Sequence, residues 1–306
     1  MIYLTTLYGS LGQGLLLALV AIGIFINMRI MKKPDLTVEG SFAFGGVLAM
    51  TMLAGGAHFI IVLFIAPLGG VLAGLVTGLI TTKLKVDGII AGLLVTMALF
   101  SVNMFVMDGN IINAPLETFI FTPIRTGLVN SGMELIDAFL LSYIIVAAII
   151  LAIVVTSLWL LFKTQFGLSV RATGSNEYMA RSNGINTDAR KIFALMLSNG
   201  IIALAGALIV QQRGGAEVNI GVGIFVIGLA GLVIGEALTP KKANILVKLL
   251  FVALGSFIYF TVESFIILWG IMDSSGTQFL TAVLALLALV APRLKEISFQ
   301  KRRQKK

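Results

Sequence analysis

Long apolar runs alternate with short polar stretches along almost the whole chain. Crossing the hydrocarbon core takes about 20 apolar residues. On that length the runs predict about nine transmembrane helices, over residues 9–30, 37–55, 58–81, 87–107, 138–162, 191–211, 219–238, 244–269 and 276–292. Spans two and seven are short and glycine-rich and carry the carboxylates of Glu39 and Glu236, so both are expected to be broken helices. A missed pair of half-helices would make the count eight or ten. The first run has no small-residue cleavage site behind a charged leader and is read as a retained helix. The expected fold is an all-α integral membrane protein, with residues 1–306 as a single transmembrane domain.

Composition supports that class and excludes others. Hydrophobic residues are 58% of the chain and charged residues 12%, about half the charged share of a soluble domain. The 33 glycines suit close helix packing in a bilayer. With no cysteine and only His58, disulfides and thiolate metal sites are excluded and a histidine metal site has little to draw on. No metal site is expected. The net charge of +8 does not call for nucleic acid, because membrane proteins gather Lys and Arg in cytoplasmic loops. With nine crossings, every Lys and Arg except Arg125 and Arg213 falls on one side. That sorting puts the N-terminus outside and the C-terminus in the cytoplasm. The tail KRRQKK reads as an anchor beside anionic membrane lipid. Residues 108–137 form the long external loop, with one short helix expected across the outer face.

The longest polar interval is cytoplasmic, residues 163–190. In its middle, Ser175 or Asn176 can cap a helix of about two turns that Gly184 ends. Glu177 near its start and Arg181 near its end suit the helix dipole. So short a helix is unstable alone in water and needs a groove to sit in, where Tyr178, Met179 and Ile185 offer apolar contacts. Elsewhere, residues 33–50 resemble residues 217–236, the first running from inside and the second from outside. That is the signature of an inverted-topology repeat.

The polar interval, RATGSNEYMARSNGI, looks like the cytoplasmic loop of ATP-binding-cassette importer permeases of the branched-chain amino acid and ribose type. DLTVEGSFAFGG and NIGVGIFVIGLAGLVIGE resemble that family's early and late glycine-rich segments. The resemblance implies that Arg171, Ala172, Thr173, Gly174, Asn176, Glu177, Ala180, Arg181, Gly184 and Ile185 form a coupling helix that fits a cleft in an ATPase. It also implies a bacterial plasma-membrane importer with a second permease copy, as a homodimer, two ATPase subunits and an extracytoplasmic substrate-binding lipoprotein. The chain has no GxxxxGK[ST] sequence, so ATP and Mg²⁺ belong to the partner ATPase and the chain is a transport subunit, not an enzyme. DLTVEGSF further resembles a Gram-positive subgroup associated with aromatic amino acids, so the expected solute is an amino acid, with sugar or nucleoside as the alternative.

Candidates for the substrate path are Thr37, Glu39, Ser41, Phe42, Asn103, Asn219, Gly221 and Gly223. Glu39 has two readings: a costly intramembrane carboxylate with a function, or an interfacial anion facing Lys32 or Lys33. Glu236 reads as an interfacial anion beside cations. Asn103, Asn199 and Gln211 either line a path or bond between helices. A proton-coupled secondary transporter would titrate Glu39 but has no use for a partner-shaped loop. An intramembrane enzyme would need a convergent catalytic cluster, and no span shows a carboxylate pair at helical spacing.

Overall fold

The computed structural model describes residues 2–270 apart from 110 and 241, with three isolated positions, Phe279, Val283 and Leu286, beyond them. With no water in a bilayer core, backbone groups must bond within their own segment, and each apolar run among the described residues accordingly becomes a helix. These are α1 (Ile2–Phe25), α2 (Thr37–Ala54), α3 (Phe59–Thr82), α4 (Gly88–Met107), α5 (Thr122–Asn130), α6 (Leu135–Lys163), α7 (Gln165–Ser175), α8 (Glu177–Ser182), α9 (Thr187–Arg213), α10 (Ile224–Leu238) and α11 (Ile245–Leu268). α1 continues through a widened π turn, Ile26–Ile30.

Seven of these are long and apolar enough to cross a membrane: α1 with its π turn, α2, α3, α4, α6, α9 and α11. α10 is apolar but only 15 residues long. Of the expected ninth span only Phe279, Val283 and Leu286 are described, and the basic tail lies outside the described residues. Two expectations need correction. Span two is one unbroken helix. Its glycines serve close packing, since a Cβ on Gly45 would strike the Ala203 carbonyl and one on Gly46 would meet Val210. Span seven is broken only at its start: residues 219–223 are turns, and Gly223, at φ +82°, begins α10.

α1, α2 and α9 are the most buried spans, and α4 is the least. α3 and α2 pack along α9, while α11 and α10 pack along α1. α2 also packs on α3, as α10 does on α11. The contacts are backbone-close. Gly70, Gly74 and Gly78 lie along one face of α3, and a Cβ on the first two would collide with the carbonyls of Asn199 and Leu195. On α10 a Cβ on Gly231 would strike the Ser256 hydroxyl of α11, and one on Gly235 the Phe251 carbonyl. Small residues let helix axes approach where apolar burial supplies no drive between helices.

The segment between α4 and α6, expected as a loop with one short helix, does contain that helix, α5. Besides α5 it contributes β1 (Ile111–Asn113), which pairs antiparallel with β2 (Gly215–Glu217), Ile112 opposite Ala216. This small clip also amends the all-α expectation. Phe119 and Phe121 are buried, the latter edge-on to Tyr143 at 4.3 Å, and the Ile120 amide donates to Gln211 at 2.9 Å.

Gly74→Val forces a side chain into the α9 backbone and should lower stability by about 1–3 kcal/mol or more, read as a lower melting temperature in detergent. Gly127→Ala, on α5 with open space around it, should leave the melt unchanged or slightly raised.

Candidate functional site

Thr164 ends α6 and caps α7, its Oγ1 accepting from the Gly167 amide at 3.1 Å. α7 buries Gly167, Val170 and Thr173, and Gly174 lies so close to the Ile30 carbonyl that no Cβ fits. Asn176 then breaks the helix in an extended conformation (φ −152°). Its Oδ1 accepts from the Met179 amide at 3.1 Å and starts α8. α8 is six residues long, too short to persist unaided. Glu177 pairs with Lys191 and with Arg181, and Arg181 donates to Thr187 Oγ1 at 2.9 Å. Asn183 Nδ2 donates to the Met179 carbonyl at 2.7 Å, and Gly184 turns the chain away at φ +78°. The Lys191 ammonium bonded to Glu177 holds that carboxyl below its ordinary value of 4.5.

The ten residues expected to form the coupling surface therefore divide. Arg171, Ala172, Asn176, Arg181 and Gly184 are exposed; Glu177, Gly174 and Ile185 are half-buried; Thr173 and Ala180 are buried. The face open to a partner is Arg171, Ala172, Ser175, Tyr178 and Met179, with Tyr178 86% exposed.

Next to this element lies a buried polar centre. Asp35, in the link before α2, is 2% exposed. Its Oδ2 accepts from Asn199 Nδ2 of α9 at 2.7 Å and from Asn27 Nδ2 of the π turn at 3.1 Å. Its Oδ1 accepts from the Thr37 amide at 2.9 Å, which starts α2. Asn27 also donates to Ser198, which donates to the Gly23 carbonyl at 2.8 Å. Ser41 donates to Asn199 Oδ1 at 2.7 Å, and Thr37 bonds Thr77 of α3 at 2.8 Å. Burial pushes the Asp35 carboxyl up, and hydrogen bonds from Thr37, Asn199 and Asn27 oppose it. Thr37 and Ser41, taken from the sequence as path residues, sit inside this centre, and so does Asn199. Asp35, Asn27 and Ser198 were not singled out. An Asp-x-Thr turn ahead of a helix is a legible Asx-turn signal, but its distant partners are not.

Three other candidates do converge. Glu39 Oε1 accepts from the Gly223 amide at 3.1 Å, at the positive end of α10. A Cβ on Gly221 would strike the Glu39 carbonyl. Among the described residues Glu39 forms no ion pair with Lys32 or Lys33; Glu236 does meet a cation, accepting from Arg29 Nε and Nη2 at 2.6 and 2.5 Å. Beside the α10 start opens a cavity of about 580 Å³ between α1, α2, α9, α10 and α11. Phe42, Asn219 and Gly223 line it, with Arg213, Glu217, Phe260 and Glu263. Glu263 is 9% exposed and its Oε2 has no hydrogen-bond partner. Asn103 is apart from all of this, buried on α4. The arrangement offers a cation, carboxylates and aromatic rings around one hollow. No group of three or more metal-ligating side chains occurs among the described residues.

Asp35→Ala leaves the Thr37 amide without its acceptor and should lower stability by about 1–3 kcal/mol, seen as an earlier melt, while Asp108→Asn, at an exposed left-handed position that Asn tolerates, should not. Glu177 has a depressed folded-state value, so its hold on α8 is complete above its ordinary value and is lost as pH falls through the lower one. Hydrogen exchange of residues 177–182, corrected for intrinsic rates, should show protection fading below pH 4.5. Lys191→Gln should move that loss to higher pH.

Comparison with known proteins places this arrangement. Residues 6–291 match the family model described as "Branched-chain amino acid transport system / permease component". The chain is 33% identical over 289 residues to a tyrosine transport system permease protein of Clostridioides difficile, covering 94% of this chain and 92% of that one. It is 28% identical to the ribose import permease protein RbsC of Haemophilus influenzae, covering 71% of this chain and 64% of that one. A solved structure, PsaBC from Streptococcus pneumoniae in complex with Fab, is similar with a TM-score of 0.50 at 14% identity, covering 93% of this chain and 89% of that one. That likeness concerns the fold alone.

Proposed function

Because this chain belongs to the family of permease components of branched-chain amino acid transport systems, we propose that it is the membrane gate of an importer driven by a separate ATPase, and that its solute is an amino acid. The observation that carries the reading is α7–α8. It presents an exposed tyrosine and methionine on a helix that cannot stand alone, fastened to α9 by ion pairs and to α1 by backbone contact. Such a surface suits an ATPase groove. Closure of two ATPase subunits around ATP would push α8, and the push reaches α1 and α9 directly. Differential contact in two states supplies the bias toward inward or outward opening.

On this reading the α7–α8 end faces the cytoplasm and the cavity beside α10 faces outside, toward a binding protein. The pairing of α3 with α9 and α11 with α1 supports an inverted repeat in which α1–α3 correspond to α9–α11. The face of α4, with Phe105 87% exposed, suits a second permease copy. Arg213 and Glu263, on one hollow with Phe42 and Phe260, favour a zwitterion with an aromatic side chain over an uncharged sugar. The relative named for tyrosine transport points the same way.

The test is uptake in vesicles holding the permease, its ATPase and its binding protein. ATP-dependent tyrosine accumulation is expected. Tyr178→Ala with Met179→Ala should cut uptake at least tenfold and release the ATPase on purification, with the permease still monodisperse. Accumulation without ATP would refute the proposal, and so would full uptake in the double variant. Bulky residues at Gly174 are the wrong probe, because they strike Ile30 within the permease itself.

A further inference from the structure

A second hollow, of about 530 Å³, lies between the end of α1, α7 and the α10–α11 turn. Arg29, Lys32, Arg171 and Lys248 line it, and Glu236 is its only acidic residue among the described ones. Arg29 is occupied by its two-pronged contact with Glu236. Lys32, Arg171 and Lys248 have no carboxylate partner and no side-chain hydrogen bond among the described residues. Three uncompensated cations from three separate elements thus converge on one concavity. The hollow also borders the N-terminus of the 24-residue α11, where Asn244 caps Val247 and the first-turn amides add positive potential. Like charges held together around a concave site create a strong field for an anion.

We propose that this hollow binds a phosphodiester anion, the headgroup of an anionic phospholipid. Its shared chemistry with free phosphate is a tetrahedral oxyanion, which a guanidinium and two ammoniums suit. One feature favours the lipid. The hollow lies at the ends of membrane-length helices, on the same end as the basic turns, where a headgroup layer would sit. The site is independent of which solute is moved. Its consequence is mechanical: one headgroup would bridge Lys32 at the end of α1, Arg171 on α7 and Lys248 on α11. It would tie the partner-facing element to both sides of the bundle, much as a counter-ion staples a charge cluster.

The experiment uses the full chain in a neutral detergent, titrated separately with short-chain phosphatidylglycerol, short-chain phosphatidylcholine and inorganic phosphate, with binding read by native mass spectrometry and by the melting temperature. Phosphatidylglycerol should bind at least tenfold more tightly than phosphatidylcholine and raise the melt. Lys32→Gln with Lys248→Gln should remove that preference. Both side chains are exposed, so the variant should melt normally in detergent alone; should it not, single Lys248→Glu serves in its place. A tail variant, Lys301→Gln with Arg302→Gln and Arg303→Gln, should keep the preference. Equal binding of the two lipids would overturn the proposal, and so would a preference that survives the cavity variants or disappears in the tail variant. Phosphate that stabilises as well as the lipid and competes with it would assign the site to a soluble anion and overturn the lipid.

Discussion

One buried carboxylate organises the centre of this protein. Asp35 is nearly sealed from solvent, and a polar group in such a place is tolerable only with its oxygens satisfied. Its three donors come from the π turn after α1, from the start of α2 and from α9. Those elements cannot slide past one another without stranding the carboxyl oxygens, so Asp35 sets their register. One turn along α2, Glu39 reaches instead to the start of α10. The two acids, four residues apart, join α2 to both glycine-rich halves of the chain.

Glycine contacts turn that register into stiffness. Where α3 lies on α9 and α10 on α11, backbone meets backbone, and such interfaces are bistable, not continuously deformable. Motion is therefore carried by whole helix groups. Gly174 against Ile30 makes α7 part of the group that contains α1, while the ion pairs of Glu177 join α8 to α9. In the proposed importer, a displacement of the small helix would thus arrive at α1 and α9, two of the three most buried helices, without passing through a flexible link.

Much of this was legible in the chain, and for physical reasons. Apolar runs of membrane length have one hydrogen-bonding solution, so six of the spans appear within a few residues of the expected limits. Caps are local, so Asn176 and Gly184 bracket α8 where their residue types say they should. Faces were not legible. A two-turn helix has no periodicity long enough to say which side packs, and Gly174 and Ala180, expected toward a partner, lie against the permease instead. α7 escaped notice because its sequence is polar enough to pass for loop. The β1–β2 clip escaped because three-residue strands carry no usable alternation. Span two was expected to break because its glycines look like flexibility; they are spaces for the neighbouring main chain. Asp35 is the instructive case. Its turn is visible locally, but Asn199 is far along the chain, and only the folded bundle brings the pair together.

The brevity of α10 carries a consequence for the energetics of passage. Its 15 residues reach about 22 Å, against a hydrocarbon layer of about 30 Å. In the importer proposed above, polar turns and the Arg213–Glu263 hollow would make up the difference and thin the low-dielectric slab locally by about a quarter. A charged solute settled there would have left bulk water without facing the full Born barrier, and a stroke from the other end would need to open only the remaining thickness.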